Sequence, residues 1–367
     1  MNRSCVATVI AVLVTGFATA PALAAPAAAD DTWQVDLSRP AARSTMDTPA
    51  APMIITRYPA HALSAQANTF TQSLDAAGTV AVDVRGRRAD GRWTEWTELP
   101  AVLDVATRTV EVRTVSTDPG AAARRLSLHA STSAARAVRE VELSYEIFAT
   151  REGLVGGHTA SGHVIVENDH FVALPSRRGL STRDSGDYTV QVCADNGRCE
   201  WAPVWDVGPW NTKDDHWNAA DARQMWTDLA QGLPQAQAAK LDGYNGGFDQ
   251  FGRVVRNPAG IDLADGTFWD GLRLTTNAWV TVTYSWTGSG PAGFIAAPVP
   301  LNVRAAPTRE APQVGLAANY AQVRVQCQQH ATTATGTQGT TDLWYRLAPD
   351  MWVSAAYVSG VTDAPAC

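Results

Sequence analysis

The sequence is poor in charge and has no excess of positive charge. Charged residues make up 18% of the 367, and 29 Lys and Arg face 36 Asp and Glu. The formal net charge of -7 excludes a protein that holds nucleic acid or another anionic polymer by charge alone. Long apolar runs are missing after the first 24 residues, so no later segment reaches the ~18 residues of a membrane-spanning helix. Gly-x-Ser-x-Gly elbows, phosphate loops and dinucleotide fingerprints are absent, and the 5 Cys have no zinc-type spacing. What is present is ordinary core-forming material, 45% hydrophobic, at a length that suits two or three domains. One excess stands out, the 13 Trp.

Arg3, the apolar run from Val6 to Ala20 and the small-x-small triplet Ala22-Leu23-Ala24 predict a signal peptide over residues 1–24. The mature chain is then expected to be secreted, extracellular or wall-associated, with no membrane span. Cleavage removes Cys5 and leaves four cysteines, an even number suited to an oxidising compartment. Cys193 and Cys199 enclose the turn-prone Asn196-Gly197, which a disulfide would staple as a hairpin. Cys327 and Cys367 pair by default.

Residues 25–53, rich in Ala, Pro, Ser and Thr without periodicity, read as a flexible leader. From 54 to 150 the period becomes two, with Val80, Val82 and Val84, then Val110, Val112 and Val115, then Leu126 and Leu128, then Val141, Leu143 and Tyr145. That pattern predicts an antiparallel β-sandwich. Its Trp93 and Trp96 serve either as a sugar-stacking platform or as packing. Residues 151–288 hold eight of the Trp and four of the seven His. Their spacing predicts strands at 163–166, 171–174, 188–193, 202–205 and 279–286, and a helical insertion over 219–239. Residues 289–298 read as a Gly-rich linker, and 299–367 as short strands that close a small barrel. The fold class expected is mainly β throughout.

Two stretches resemble known families. Leu301-Asn302-Val303-Arg304 with Pro307, Val314-Gly315, Trp344-Tyr345-Arg346, Trp352-Val353 and Tyr357-Val358 resemble the bacterial SH3-like domain. That resemblance implies attachment to cell-wall peptide or glycan through a shallow aromatic groove. Thr159-Ala160-Ser161-Gly162, Ala173-Leu174-Pro175, Asp206-Val207-Gly208-Pro209-Trp210 and Gly260-Ile261-Asp262-Leu263, in that order, resemble the double-psi β-barrel of rare lipoprotein A and the expansins. Val207 stands where that family has Arg, and the interval from Trp210 to Gly260 is longer. The form of the stretch, including Gly243-Tyr244, looks like that of secreted actinobacterial wall-associated proteins.

The second resemblance implies a partner in peptidoglycan or another cell-wall glycan, with Asp206 as the key carboxyl. A glycan-cleaving acid must stay protonated near neutral pH, which a partly apolar pocket achieves. Asp206, between Trp205 and Val207, meets that condition, or else caps its own Gly-Pro turn. Asp262 is available as the second carboxylate of a hydrolase, whereas lytic transglycosylation needs a single acid/base. His163 and His170 are candidates to orient Asp206, with Asp169 fixing the His170 tautomer, and Thr159, Ser161, Trp205, Trp210, Trp217 and Tyr244 are candidates to contact sugar. His158-x4-His163 lies on an extended Gly-rich stretch where its ligands would not converge, so neither metal nor cofactor is expected. Two functions fit these residues: an enzyme that cleaves peptidoglycan as a lytic transglycosylase or glycosidase, and a non-catalytic, expansin-like protein that binds or loosens the wall.

Overall fold

The computed structural model describes residues 30–46, 52–133 and 141–367; the expected signal peptide and Cys5 lie outside them. The first eight strands are β1 (Asp30–Gln34), β2 (Ala42–Met46), β3 (Met53–Arg57), β4 (His61–Ala77), β5 (Ala81–Gly86), β6 (Thr97–Glu98), β7 (Ala101–Ser116) and β8 (Ala122–Ser131). They form one antiparallel sheet in the order β1-β8-β4-β7-β3-β2, with β5 on β7 and β6 on β5. The strands expected as a sandwich are joined by hydrogen bonds into one continuous sheet. Its β4 and β7 run 17 and 16 residues and shift register twice along their shared edge, so one strand serves different partners along its length. Phe70, Val82, Val84, Leu126 and Leu128 bury its apolar side. The expected leader is also corrected, since β1 and β2 come from it and pair with β8 and β3.

The next six strands close on themselves. They are β9 (Leu143–Arg151), β10 (Val172–Leu174), β11 (Thr189–Ala194), β12 (Cys199–Val207), β13 (Ala259–Leu263) and β14 (Ala278–Tyr284). Their order is β10-β13-β9-β14-β11-β12, and β12 returns to β10. The β10–β12 and β9–β13 contacts are parallel, and the other four are antiparallel. Alternate residues such as Ile147, Val190, Val204, Ile261 and Val282 fill the interior. Leu143 and Tyr145 thus belong to this barrel and not to the first unit. Residues 163–166, expected as a strand, make only an isolated bridge between His158 and Val164.

The insertion between β12 and β13 is α-helical only at α1 (Gln235–Asp242), followed by a short 3-10 turn at Tyr244–Gly247. Residues 219–233 are turns held by buried polar contacts: Arg223 pairs with Asp214 at 2.5 Å, both fully buried, and Asp215 accepts the Gln224 N–H at 2.8 Å. Pro234, extended at φ -61° and ψ 140°, then starts the helix.

The remaining strands are β15 (Ala292–Ile295), β16 (Leu301–Arg304), β17 (Gln313–Ala317), β18 (Gln322–Arg324), β19 (Cys327–Gly336), β20 (Gly339–Ala348), β21 (Met351–Ser354) and β22 (Val358–Ser359). β15 occupies the expected linker and pairs with β18 and β22. β17 pairs in parallel with β12, so the barrel's sheet continues through β17-β16-β21-β20-β19. Both expected disulfides are present, Cys193–Cys199 across the β11–β12 hairpin and Cys327–Cys367.

Candidate functional site

The central carboxyls are assembled by strand register. Ala173 on β10 lies opposite Asp206 of β12 on one side and opposite Asp262 of β13 on the other. A one-residue slip on β12 between Val172 and Ala173 of β10 brings Asp206, in place of Trp205, to that level. A bulge of this kind re-aims a side chain without ending the sheet. Thr150 of β9 pairs with Asp262, and its hydroxyl donates to Asp262 Oδ1. The next residue but one, Glu152, leaves β9 with its N–H on the Leu263 carbonyl at 2.9 Å and meets Asp206 through its carboxyl.

Three acids therefore share one end of the barrel, in unequal surroundings. Asp206 is buried at 3% exposure, and its Oδ1 accepts the backbone N–H groups of Ala160 at 2.7 Å and Val207 at 2.8 Å. Burial raises its pKa, while the Glu152 hydrogen bond and the two N–H groups hold the rise back. Burial drives Glu152 well above the ordinary carboxyl range, and Asp206, Asp262 and Asp265 add repulsion. Two carboxyls in contact need a proton between them, so Glu152 keeps it and donates to Asp206. Asp262 is partly exposed; burial pushes its pKa up to about 7, with Asp206 adding and Thr150 opposing. Asp262 thus changes charge near neutral pH.

The Thr159-Ala160-Ser161-Gly162 segment is the backbone support of this cluster. The Ala160 N–H holds Asp206, the Ser161 N–H holds the Trp205 carbonyl at 3.0 Å, and the buried Thr159 Oγ1 accepts from the His163 N–H at 3.1 Å. Ser161 Oγ is turned to Thr159 Oγ1 at 3.0 Å.

Several expected contacts lie elsewhere. His163 Nε2 pairs with Asp169 at 2.8 Å and packs its ring 4.8 Å from Trp205, while His170 Nδ1 pairs with Glu200 at 2.9 Å. Asp169 therefore serves His163, and Glu200 takes the role expected of it at His170. Burial alone would lower the His170 pKa, but the Glu200 carboxylate outweighs it and the net shift is upward. Trp205 is buried against Phe171 with its N–H on the Ser185 carbonyl at 2.8 Å. Trp217 is fully buried, stacked 5.1 Å from Tyr284 with its N–H on Glu95 at 2.6 Å. Tyr244 donates to Asp228 at 2.7 Å and abuts Trp226. Core packing thus claims Trp205 and Trp217.

Of the expected tryptophans only Trp210 is not fully claimed by the core. It follows the Gly208–Pro209 turn, where a Cβ on Gly208 would sit 4.0 Å from Asp262 Oδ2. Half-buried, Trp210 donates to Asn257 Oδ1 at 2.9 Å and lies under Arg253. On another side Trp269, 44% exposed, stacks with Arg151, which pairs with Asp265 at 2.7 Å. Glu152 and Trp269 are the site residues that sequence reasoning missed. Glu152 belongs to no motif, and its only signal is a lone acid directly after an alternating run.

Among the described residues no helix is long and apolar enough to cross a membrane, and no three His, Cys, Asp or Glu side chains group as metal ligands. Neither a curated protein nor a solved structure matches the chain. A family model does match, over residues 143–283: a domain of unknown function (DUF8814) that starts at the first residue of β9 and stops one residue before the end of β14, so its limits are those of the closed barrel.

Proposed function

We propose that this is an exported wall-acting protein that cleaves peptidoglycan or a similar glycan, with Asp262 as the acid. The observation that carries the reading is the division of labour among the three carboxyls. Asp206, the key carboxyl implied by resemblance, is too buried and too well satisfied to reach a sugar. Asp262 is partly exposed and titrates at about 7, the range in which a group can both give and take a proton. The six-stranded barrel with two parallel contacts supports the double-psi reading, and the two disulfides support an oxidising compartment.

The geometry favours lytic transglycosylation over hydrolysis. Asp206 is buried, Glu152 holds its proton against Asp206 and Asp265 is paired with Arg151, so the carboxyls around Asp262 are engaged, which favours a single acid/base over a nucleophile or water activator. One acid/base suffices when the nucleophile is internal. Asp262 gives its proton to the leaving glycosidic oxygen as the C1–O bond breaks. The muramic 6-hydroxyl then bonds to C1, and its proton returns to the Asp262 carboxylate. Trp210 and Trp269 flank the acids as surfaces for the sugar rings.

The test is release of 1,6-anhydro fragments from purified peptidoglycan. The wild type should release them, and Asp262→Asn should lower the rate by about 10²–10⁴ while still sedimenting with the wall. A wild type that sediments but releases nothing would overturn the enzyme in favour of non-catalytic, expansin-like binding.

A further inference from the structure

A second cavity shares no lining residue with these acids. It encloses about 830 Å³ between the first sheet, the start of β9 and the insertion. That volume is in the ~300–1,000 Å³ range of small-molecule sites, which favour the seams between units. We propose that this cleft is a second binding site, for a neutral oligosaccharide of two or three rings.

Most of its ionic groups already have partners: Arg88 meets Asp104, Arg178 meets Asp215 and Glu95, and Glu98 meets Lys213 and Arg177. The lining itself carries Glu95, Glu98, Asp104 and Asp221 against Arg88 and Arg178, an acidic surplus that disfavours an anionic ligand. Planar carboxylate and amide groups at Glu95, Asn218, Gln224 and Gln231 face the space. Most of these atoms already bond protein: Glu95 accepts from Trp217, Trp286 and Asn218, Asn218 also donates to Asp215, Gln224 donates to Glu98 and Gln231 donates to the Trp217 carbonyl, so a sugar hydroxyl would meet the amide atoms that they leave over. The lining also carries apolar surface at Trp93, Trp286 and the 55% exposed Val102. A pyranose has that same division, with an apolar C–H face and a polar rim. Ser, Cys, His and Lys, which would point to covalent chemistry, do not line the cleft.

Titration calorimetry of the full chain with tri-N-acetylchitotriose tests the site. The proposal expects saturable binding that Asp262→Asn leaves unchanged, so it stands or falls apart from the cleavage reading. Trp93→Ala should weaken binding by about tenfold or more. Val102→Arg, at an exposed position where folding is not at risk, should do the same by filling the mouth. Absence of saturable heat from the trisaccharide overturns the proposal. So does Val102→Arg binding as the wild type binds, or saturation by tri-galacturonate or acetyl-trialanine amide in place of the neutral sugar.

Discussion

At the scale of single residues, the Asp262 carboxyl should set a pH dependence of stability and, as the proposed acid, of activity. As the acid it must be protonated, so cleavage should fall about tenfold per pH unit above pH 7, the value to which its burial raises it. The stability contribution has the same sign. A carboxyl whose pKa is raised on folding favours the folded state fully below its ordinary value near 3.8, and that contribution is lost as pH rises through about 7. Asp262→Asn removes the buried charge and so should melt higher than the wild type at pH 8, by about 2 °C or more, with the gap closing below pH 4. A melting series from pH 4 to pH 8 checks it; a variant that melts lower throughout contradicts the assigned pKa. Asp206 and Asp262 were legible as motif residues, but their roles were not. The β12 bulge that buries one depends on a partner strand 33 positions away, and the Thr150–Asp262 register that leaves the other partly open depends on a partner 112 positions away. Glu152 was invisible for the same reason.

At the scale of elements, period-two alternation located most strands, because a strand with one buried face writes that face into every second residue. Partner choice is not written there, which is why β9 was assigned to the wrong sheet. The insertion failed differently. Trp226 and Leu229 have near-helical spacing, yet Trp226 sits at φ 61°, and the local polar groups are taken by Asp214, Asp215 and Arg223. Buried ion pairs overrode a weak propensity. The β12–β17 pairing makes a sharp prediction. A Cβ on Gly315 would lie 2.0 Å from the Cys199 carbonyl oxygen, so only glycine allows the two backbones to approach there. Gly315→Ala should part β17 from β12 and destabilise the chain by about 1–3 kcal/mol. Urea denaturation reads the loss, and limited proteolysis should cut first near residue 315. A second element-level prediction concerns Cys327–Cys367, which closes the chain's last 40 residues. Cys367→Ser should cost about 2–4 kcal/mol in the same urea assay, and reducing agent should have little further effect on this segment.

At the scale of the molecule, the three expected units are welded by buried contacts. Cys199 and Trp201 of the barrel lie in the apolar core of the last unit. Between the first sheet and the barrel, Asp83 accepts from Arg113 at 2.9 Å and from Arg177 at 2.9 and 3.1 Å, all three buried. Arg85 and Arg113 lie 4.5 and 4.3 Å from the buried Trp96 ring. The packing reading of Trp96 thus holds, with guanidinium groups as the neighbours. Asp83 is the hinge of this network. Burial opposes its charge, but the two guanidinium groups outweigh burial and lower its pKa to about 2. Asp83→Ala would leave Arg113 and Arg177 buried against each other and should cost about 3–5 kcal/mol at pH 7. Because the folded-state pKa is depressed, this contribution is present above the ordinary value near 3.8 and is lost as pH falls through about 2. The gap in urea midpoint between wild type and Asp83→Ala should therefore be constant from pH 5 to 7 and shrink towards pH 2.5. The welding also determines how the variant unfolds. Since Ser44 Oγ on β2 donates to the Ala160 carbonyl at 2.7 Å, the first sheet braces the loop that holds Asp206. Loosening the sheet at Asp83 should then slow glycan cleavage as well as lower stability, a coupling that independent units joined by linkers would not produce.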